Sequence, residues 1–324
     1  MKTNPVTIAL DGTGGDNCQD RSVINAVSFA LNMCRQLHIV VYGPQSLEQE
    51  LKKSNLDLNR VSFRFAPQSI PQDESPRKVI EEYNNSAMKN GLYAVKNGEA
   101  MAFVSAGGTG PLVSLSRHIL GSIKDLRPAL AAKIPSSMGR FSVMLDLGAN
   151  ALSSAQDLYG FALLGRAYAE LCLNIEKPKV AILNVGAERN KGSKTIREVR
   201  SLLESDVNVN LKGYIEANKI FQGEADVIVT DGFTGNVALK SAEGVAHIFT
   251  HGEGLKRFFA KLAWPNWLIP WQYNGSPLLG VKGIVIKSHA SAKDEALACA
   301  MVEAVNAVKV SLATKIEEKI SYKK

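Results

Sequence analysis

The sequence predicts an α/β protein: an α/β/α layered sandwich, Rossmann-like, built on a mostly parallel sheet. Three observations point there. Short apolar runs alternate with stretches of helical periodicity along the whole chain. Several runs are nearly unbroken Val, Ile, Leu and Ala, the composition of strands buried on both faces. Five of them lead directly into polar, glycine-bearing loops, as expected where a strand hands over to a helix.

The elements follow in order. A strand at 6–10 precedes a helix at 23–36, and strands follow at 38–42 and 61–65. The polar, proline-bearing stretch 68–76 reads as a mobile surface loop rather than a linker. Strands at 101–104 and 142–145 come next, then a helix at 158–173 and a strand at 180–183. A helix at 194–204, strands at 227–230 and 283–286, and a helix at 294–308 complete the pattern. A helical, hydrophobic protrusion is expected near 245–275. There is no internal repeat, and the expectation is one domain over 1–324.

Composition narrows the function classes. With 45% hydrophobic and 21% charged residues over 324 positions, the chain can bury a large core and is not a disordered one. The net charge of +7 permits anionic partners, but no basic stripe with interleaved aromatics argues for nucleic acid. The four cysteines, Cys18, Cys34, Cys172 and Cys299, form no CxxC pair, which suggests neither a zinc site nor a disulfide framework and suits a reducing cytoplasm. The N-terminus enters a strand without a signal-like segment, and no apolar run approaches the roughly 18 residues of a membrane span. No metal and no cofactor is expected.

The glycine loops carry the functional signal. They are Asp11-Gly12-Thr13-Gly14-Gly15-Asp16, Ser105-Ala106-Gly107-Gly108-Thr109-Gly110, Asp146-Leu147-Gly148-Ala149-Asn150, Asn184-Val185-Gly186 with Asn190-Lys191-Gly192-Ser193, and Asp231-Gly232-Phe233-Thr234-Gly235-Asn236. Ligands of open α/β sheets bind at the carboxyl ends of strands. Glycines there allow close backbone approach, and helix N-termini add positive potential. Any one such loop could be a plain tight turn. Five, each with Asp, Asn, Ser or Thr beside the glycines, predict a shared crevice suited to phosphate.

Other motifs are excluded. GxGxxG fails because Asn17 stands where the third glycine belongs, and the 186–192 stretch has the wrong spacing for a phosphate-binding P-loop and lacks its Gly-Lys-Ser/Thr. GxSxG is absent. His247 and His251 lack a zinc motif and read as packing or surface residues. Ser105 and Ser288 read as hydrogen-bonding groups rather than nucleophiles.

Taken together, the loops resemble the acyl-carrier-protein:phosphate acyltransferases of bacterial phospholipid synthesis, the PlsX family. The likeness is strongest at 226–244 (DVIVTDGFTGNVALKSAEG) and 273–289 (YNGSPLLGVKGIVIKSH), with support from 11–16, 105–112, 127–130 (RPAL) and 145–150 (LDLGAN). Departures fall at Thr13, Gly108, Ala187, Ser193 and Ala290. The resemblance implies transfer of a fatty acyl group from the thioester of acyl carrier protein to inorganic phosphate, giving acyl phosphate. Phosphate is itself the nucleophile, so no acyl-enzyme is needed. By the same resemblance Lys191 would pair with phosphate. Thr109, Asn236 and the amides of 107–110 and 232–235 would donate hydrogen bonds, and Asp11, Gly14, Gly15, Asp16, Ser105, Asn150 and Gly192 would line the site. His289 would help protonate the leaving thiolate, and Asp231 would orient Lys240 or another cation. Two alternatives stand beside this: a phosphotransacetylase-like enzyme using acyl-coenzyme A, and a weakly active paralogue that binds acyl carrier protein or membrane and regulates lipid synthesis.

The segment 254–271 (GLKRFFAKLAWPNWLIPW) has its own physics. It joins Lys256, Arg257 and Lys261 to Phe258, Phe259, Leu262, Trp264 and Trp267, and holds all three tryptophans of the chain. Basic residues beside aromatic ones suit a peripheral membrane contact or an acyl chain. A subunit interface is the other reading, since the resemblance implies a homodimer. A cytoplasmic protein, peripheral on the inner face of the membrane, is the expected location.

Overall fold

In the computed structural model, residues 5–16, 19–250 and 273–321 are described. Eleven strands are present among them: β1 (Val6–Asp11), β2 (Leu37–Gly43), β3 (Val61–Phe65), β4 (Ala102–Ser105), β5 (Ala129–Pro135), β6 (Phe141–Leu145), β7 (Lys179–Leu183), β8 (Asn210–Ile215), β9 (Val227–Val229), β10 (Ser276–Leu279) and β11 (Val285–Lys287). The chain divides into two compact units, one of Met1–Leu130 with Asn274–Lys324, the other of Ala131–Tyr273, the boundary falling inside β5.

In the first unit the strand order is β3-β2-β1-β4-β11-β10. β3, β2, β1, β4 and β11 are mutually parallel, and β10 runs antiparallel to β11. β1, β4 and β11 are almost wholly buried, with Ile8, Leu10 and Phe103 at their centre. Helices cover both faces. On one, α1 (Asp20–Met33) packs with the helix Asp294–Lys309. On the other, α3 (Pro76–Glu81), α4 (Ala87–Lys96) and α5 (Thr109–Leu120) pack together. Gly91 of α4 lies flat on the Phe103 ring, where any side chain would collide with it. α2 (Gln45–Lys53) seats Leu47 and Leu51 beside α1.

In the second unit the order is β5-β6-β9-β7-β8, with β6, β9, β7 and β8 parallel and β5 antiparallel to β6. α6 (Ala155–Cys172) lies on β6 and β9 and against α7 (Lys194–Ser205). α6 starts where Ser154 and Asp157 form a reciprocal capping box, Ser154 Oγ accepting from the Asp157 N–H at 3.2 Å. α8 (Gly232–Thr250) follows β9. The mostly parallel α/β class expected from the sequence is the one the chain adopts.

The stretch 68–76, expected to be mobile, is tied down. The Asn85 N–H donates to Gln68 Oε1 at 2.7 Å and Tyr83 Oη to Glu74 Oε2 at 2.9 Å. Ser69 Oγ donates to the Thr13 carbonyl and Gln72 Nε2 to Asp16 Oδ1, each at 3.3 Å. Its polarity marks hydrogen bonds to neighbouring loops rather than freedom. Residues 251–272 lie outside the described part, so Phe258, Phe259, Leu262, Trp264, Trp267 and His251, with most of the expected protrusion, do too.

Candidate active site

Each unit gathers glycine loops at the carboxyl edge of its own parallel strands, and each organises them around a buried aspartate. In the first unit that residue is Asp11, the last residue of β1. Its Oδ1 accepts from the Thr13 N–H at 3.0 Å and from Thr13 Oγ1 at 2.8 Å. Its Oδ2 accepts from Ser105 Oγ at 2.7 Å, at the end of the adjacent strand β4, and Ser105 Oγ in turn accepts from the Gly107 N–H at 2.9 Å. Ser105 is fully buried and serves as a hydrogen-bonding group, as its context suggested.

This chain of bonds fixes the two loops face to face. Gly14 is required there: a Cβ would stand 2.5 Å from the Gly107 nitrogen and 2.7 Å from Asp11 Oδ2. Gly15 has φ of +101° and packs against Ala106 and the Ala290 carbonyl. The Asp16 N–H donates to that same carbonyl at 2.8 Å. Gly108 caps α5 and presses on the backbone of Gln72, so no side chain fits at that position. Thr109 and Gly110 open α5, and the first amides of a helix have no partner within it. They carry the positive end of the helix dipole.

His289 sits in the same unit, exposed, beyond β11. Its N–H donates to Asn274 Oδ1 at 3.0 Å. The Ser291 N–H donates to His289 Nδ1 at 3.2 Å, and Ser291 Oγ lies 2.8 Å from the same nitrogen. Asn274 Nδ2 donates to Ser288 Oγ and to the Ala296 carbonyl, each at 2.7 Å, tying the turn to the following helix.

In the second unit the organising residue is Asp146, fully buried just past β6. Its Oδ1 accepts from the Ala149 N–H at 3.1 Å, and Oδ2 accepts from the Asn150 N–H at 2.7 Å and from Asn150 Nδ2 at 3.0 Å. Asn150 returns its carbonyl to the Gly232 N–H at 3.0 Å, which joins this loop to the one after β9. Gly232 and Gly235 lie so close to the backbones of Asn150 and Asp146 that neither can carry a side chain without displacing them. Asp231 accepts from the Thr234 N–H and Oγ1, both at 2.8 Å, and so caps the start of α8. Asn236 is exposed one turn further on, with Gly148 packed against its side chain. Lys240 pairs with Glu243 at 2.7 Å on the exposed face of α8.

The loop after β7 completes this edge. Asn184 Nδ2 donates to the Gly186 carbonyl at 3.1 Å, and Gly192, at φ +88°, packs on the Asn184 side chain. Ser193 caps α7 by accepting from the Ile196 N–H at 3.3 Å. Lys191 stands exposed at the tip. Two further polar residues belong with these loops although the sequence did not single them out. One is Asp146 itself. The other is Lys287, a buried lysine ending β11, whose Nζ donates to the Ser288 carbonyl and lies 3.5 Å from the Ala106 carbonyl. In both cases the signal was a charged residue closing an apolar run.

In each unit the carboxyl-edge loops present oriented amides, an arrangement common among α/β enzymes that handle anionic groups. The fold is shared with solved structures: it matches a phosphotransacetylase from Streptococcus pyogenes at a TM-score of 0.66, with 16% identity over 95% of this chain and 94% of that one. A branched-chain phosphotransacylase from Enterococcus faecalis V583 matches at 0.62, with 17% identity over 94% and 99%. The chain belongs to the fatty acid synthesis protein family, whose model matches residues 6–315, and to the phosphate acyltransferases within it. It is 39% identical to the phosphate acyltransferase of Pseudomonas syringae pv. tomato over 92% of each chain. It is 39% identical to that of Aeromonas salmonicida over 97% of this chain and 96% of that one.

Proposed function

We propose that this acyltransferase moves a fatty acyl group from the thioester of acyl carrier protein to inorganic phosphate. A phosphate oxygen attacks the thioester carbonyl, the C–S bond breaks, and the thiolate takes a proton to leave as free thiol beside acyl phosphate. The observation that carries this reading is the buried Asp11–Ser105–Gly107 chain of hydrogen bonds, which holds the opening amides of α5 in a fixed array suited to phosphate oxygens. Phosphate arrives as an anion, so the protein needs to orient it and exclude water rather than supply a nucleophile.

Residue roles follow from chemistry. The amides of 108–110 and the Thr109 hydroxyl hold phosphate. Lys191, an exposed ammonium on a glycine loop, offers a movable positive charge. Asn236 donates its side-chain amide toward the thioester oxygen in the tetrahedral intermediate, on a loop whose own amides at 232, 234 and 235 are spent holding its shape. His289, as the imidazolium, gives its Nε2 proton to the departing thiolate and returns to the neutral imidazole. Lys240, already paired with Glu243, would serve as a secondary cation. The test is an assay of acyl carrier protein thioester with and without phosphate. Thiol release should require phosphate and yield a hydroxylamine-trappable product. Equal release without phosphate would mark a hydrolase, and faster turnover of acyl-coenzyme A would transfer the donor role to that thioester.

The enzyme works as a homodimer, peripheral on an anionic membrane, with Lys256, Arg257 and Lys261 toward headgroups and Phe258, Phe259 and Leu262 in the interface. Each basic residue contributes on the order of 1 kcal/mol at such a surface, so binding is reversible and salt-sensitive. Vesicle co-sedimentation should fall with salt and with serine at 258, 259 and 262. Loss of the dimer in that variant would make the segment a subunit interface instead.

A further inference from the structure

We propose that Lys287 is the positioning residue for the phosphate loop, clamping the Ala106–Gly107 peptide from the side opposite Asp11. The inference rests on the reading that the amides of 108–110 take phosphate. Lys287 ends β11 and is in parallel register with Ser105 of β4, so the two side chains leave the sheet on the same face. It is buried, with only 9% of its surface exposed. Burying an ammonium is costly unless it is hydrogen-bonded. Here the Nζ donates to the Ser288 carbonyl and lies 3.5 Å from the Ala106 carbonyl.

The Ala106 carbonyl belongs to the peptide whose N–H, on Gly107, donates to Ser105 Oγ at 2.9 Å. Ser105 Oγ in turn donates to Asp11 Oδ2 at 2.7 Å. One peptide plane is therefore gripped at both ends: its oxygen faces a buried cation, and its N–H is tied through a serine to a buried carboxylate. That grip matters because Gly107 and Gly108 follow, and glycine moves between backbone conformations at little cost. An unclamped peptide there could rotate and turn the next amides away from the ligand. The buried ammonium also places positive potential beneath the loop.

A lysine that merely braces the sheet would affect both substrates alike, or the melting temperature alone. The test reads phosphate separately, using inorganic phosphate in isothermal titration of the full chain, and initial rates with phosphate and acyl carrier protein thioester each varied. Lys287→Met keeps the length and removes the charge. It should weaken phosphate in both Kd and KM by about tenfold or more, with KM for the thioester within about twofold of wild type. Lys287→Gln can still donate to the Ala106 carbonyl and should recover part of the loss. A folded Lys287→Met with phosphate Kd within about twofold of wild type, or with both KM values raised together, overturns the proposal. If Lys287→Met does not fold by circular dichroism, Ser105→Ala takes its place, since it frees the other end of the same peptide. A phosphate Kd about tenfold weaker supports the clamp, and an unchanged one overturns it. A wild type that binds phosphate but releases thiol without it would sink the reaction proposed above and leave this inference standing. A wild type that does not bind phosphate overturns the inference.

Discussion

Replacing Asp146 with alanine should destabilise the unit Ala131–Tyr273 although it substitutes none of the exposed candidate residues. The carboxylate is fully buried and accepts three hydrogen bonds, from the Ala149 N–H and from the Asn150 N–H and side-chain amide, at 3.1, 2.7 and 3.0 Å. Asn150 is itself buried, so both of its donors would lose their partner out of reach of water. Each orphaned buried donor costs about 1–3 kcal/mol. Part of this is offset because a buried charge no longer has to be desolvated. The net expectation is a loss of about 3 kcal/mol. At about 2–4 °C per kcal/mol for a cooperative unit of this size, the melting temperature should fall by about 6–12 °C. Asp146→Asn keeps one oxygen but turns an NH₂ group toward the donors, so it should lie between wild type and alanine. The assay is a thermal melt of the full chain followed by circular dichroism at fixed pH. A melting temperature for Asp146→Ala within about 2 °C of wild type would refute the claim that this carboxylate organises the loop.

Lys191→Ala and Asn236→Ala, both at exposed positions, should lower phosphate-dependent thiol release by about tenfold or more with unchanged melting curves; unchanged kinetics in both would move the site elsewhere. Gly14→Ala puts a methyl carbon 2.5 Å from the Gly107 nitrogen, so the two loops must part and phosphate KM should rise; an unaltered KM would mean that the loops are slack. Burial, followed by its hydrogen bond to the Asp206 carboxylate, pushes the Tyr159 hydroxyl up to about 12. The unfolded chain then loses this proton first, so the stability it contributes is intact below about pH 10 and is lost as pH rises toward 12. Denaturation midpoints across that range should fall less steeply in Tyr159→Phe than in wild type; parallel slopes would contradict the assignment.

The strands most legible in the sequence are those rich in branched aliphatics, such as VTIALD of β1, KVAIL of β7 and VIV of β9, which the structure buries almost completely. The strands not anticipated each break that pattern for a local reason. β5 reads ALAAKIP, with alanine, lysine and proline in place of branched residues. β10 carries Pro277, and β8 reads NLKGYI, with Gly213 at φ +109° and a register shift opposite Val180/Ala181. The glycine loops were legible because their composition is local. The organising parts of Asp146, seen only as the first residue of such a loop, and of Lys287 were not, because they come from burial, and burial depends on which strands become neighbours. Lys240 shows the converse: its place in a family-like motif drew attention, while it forms an ordinary i,i+3 pair with Glu243 on an exposed helix face.

The proposal that loops organised by aspartates take an anion, in either unit, invites the objection that the organisers should repel the ligand. Their hydrogen bonds answer it. Asp11 spends both oxygens on Thr13 and Ser105, and Asp146 spends both on Ala149 and Asn150, so each carboxylate is saturated by donors drawn from the loop it shapes. A carboxylate held by several oriented donors has much of its charge offset locally, and both sit at 3% exposure or less, beneath the loop surface. What the loops turn outward is different in kind: the opening amides of α5, the Asn236 amide and the Lys191 ammonium. The acids supply rigidity from below, and the groups that would meet phosphate or the thioester oxygen are donors. This division separates the two kinds of substitution in experiment. Losing a buried acid should appear first as a lower melting temperature, with activity falling because the loop has lost its shape. Losing an exposed donor should appear in the rate alone.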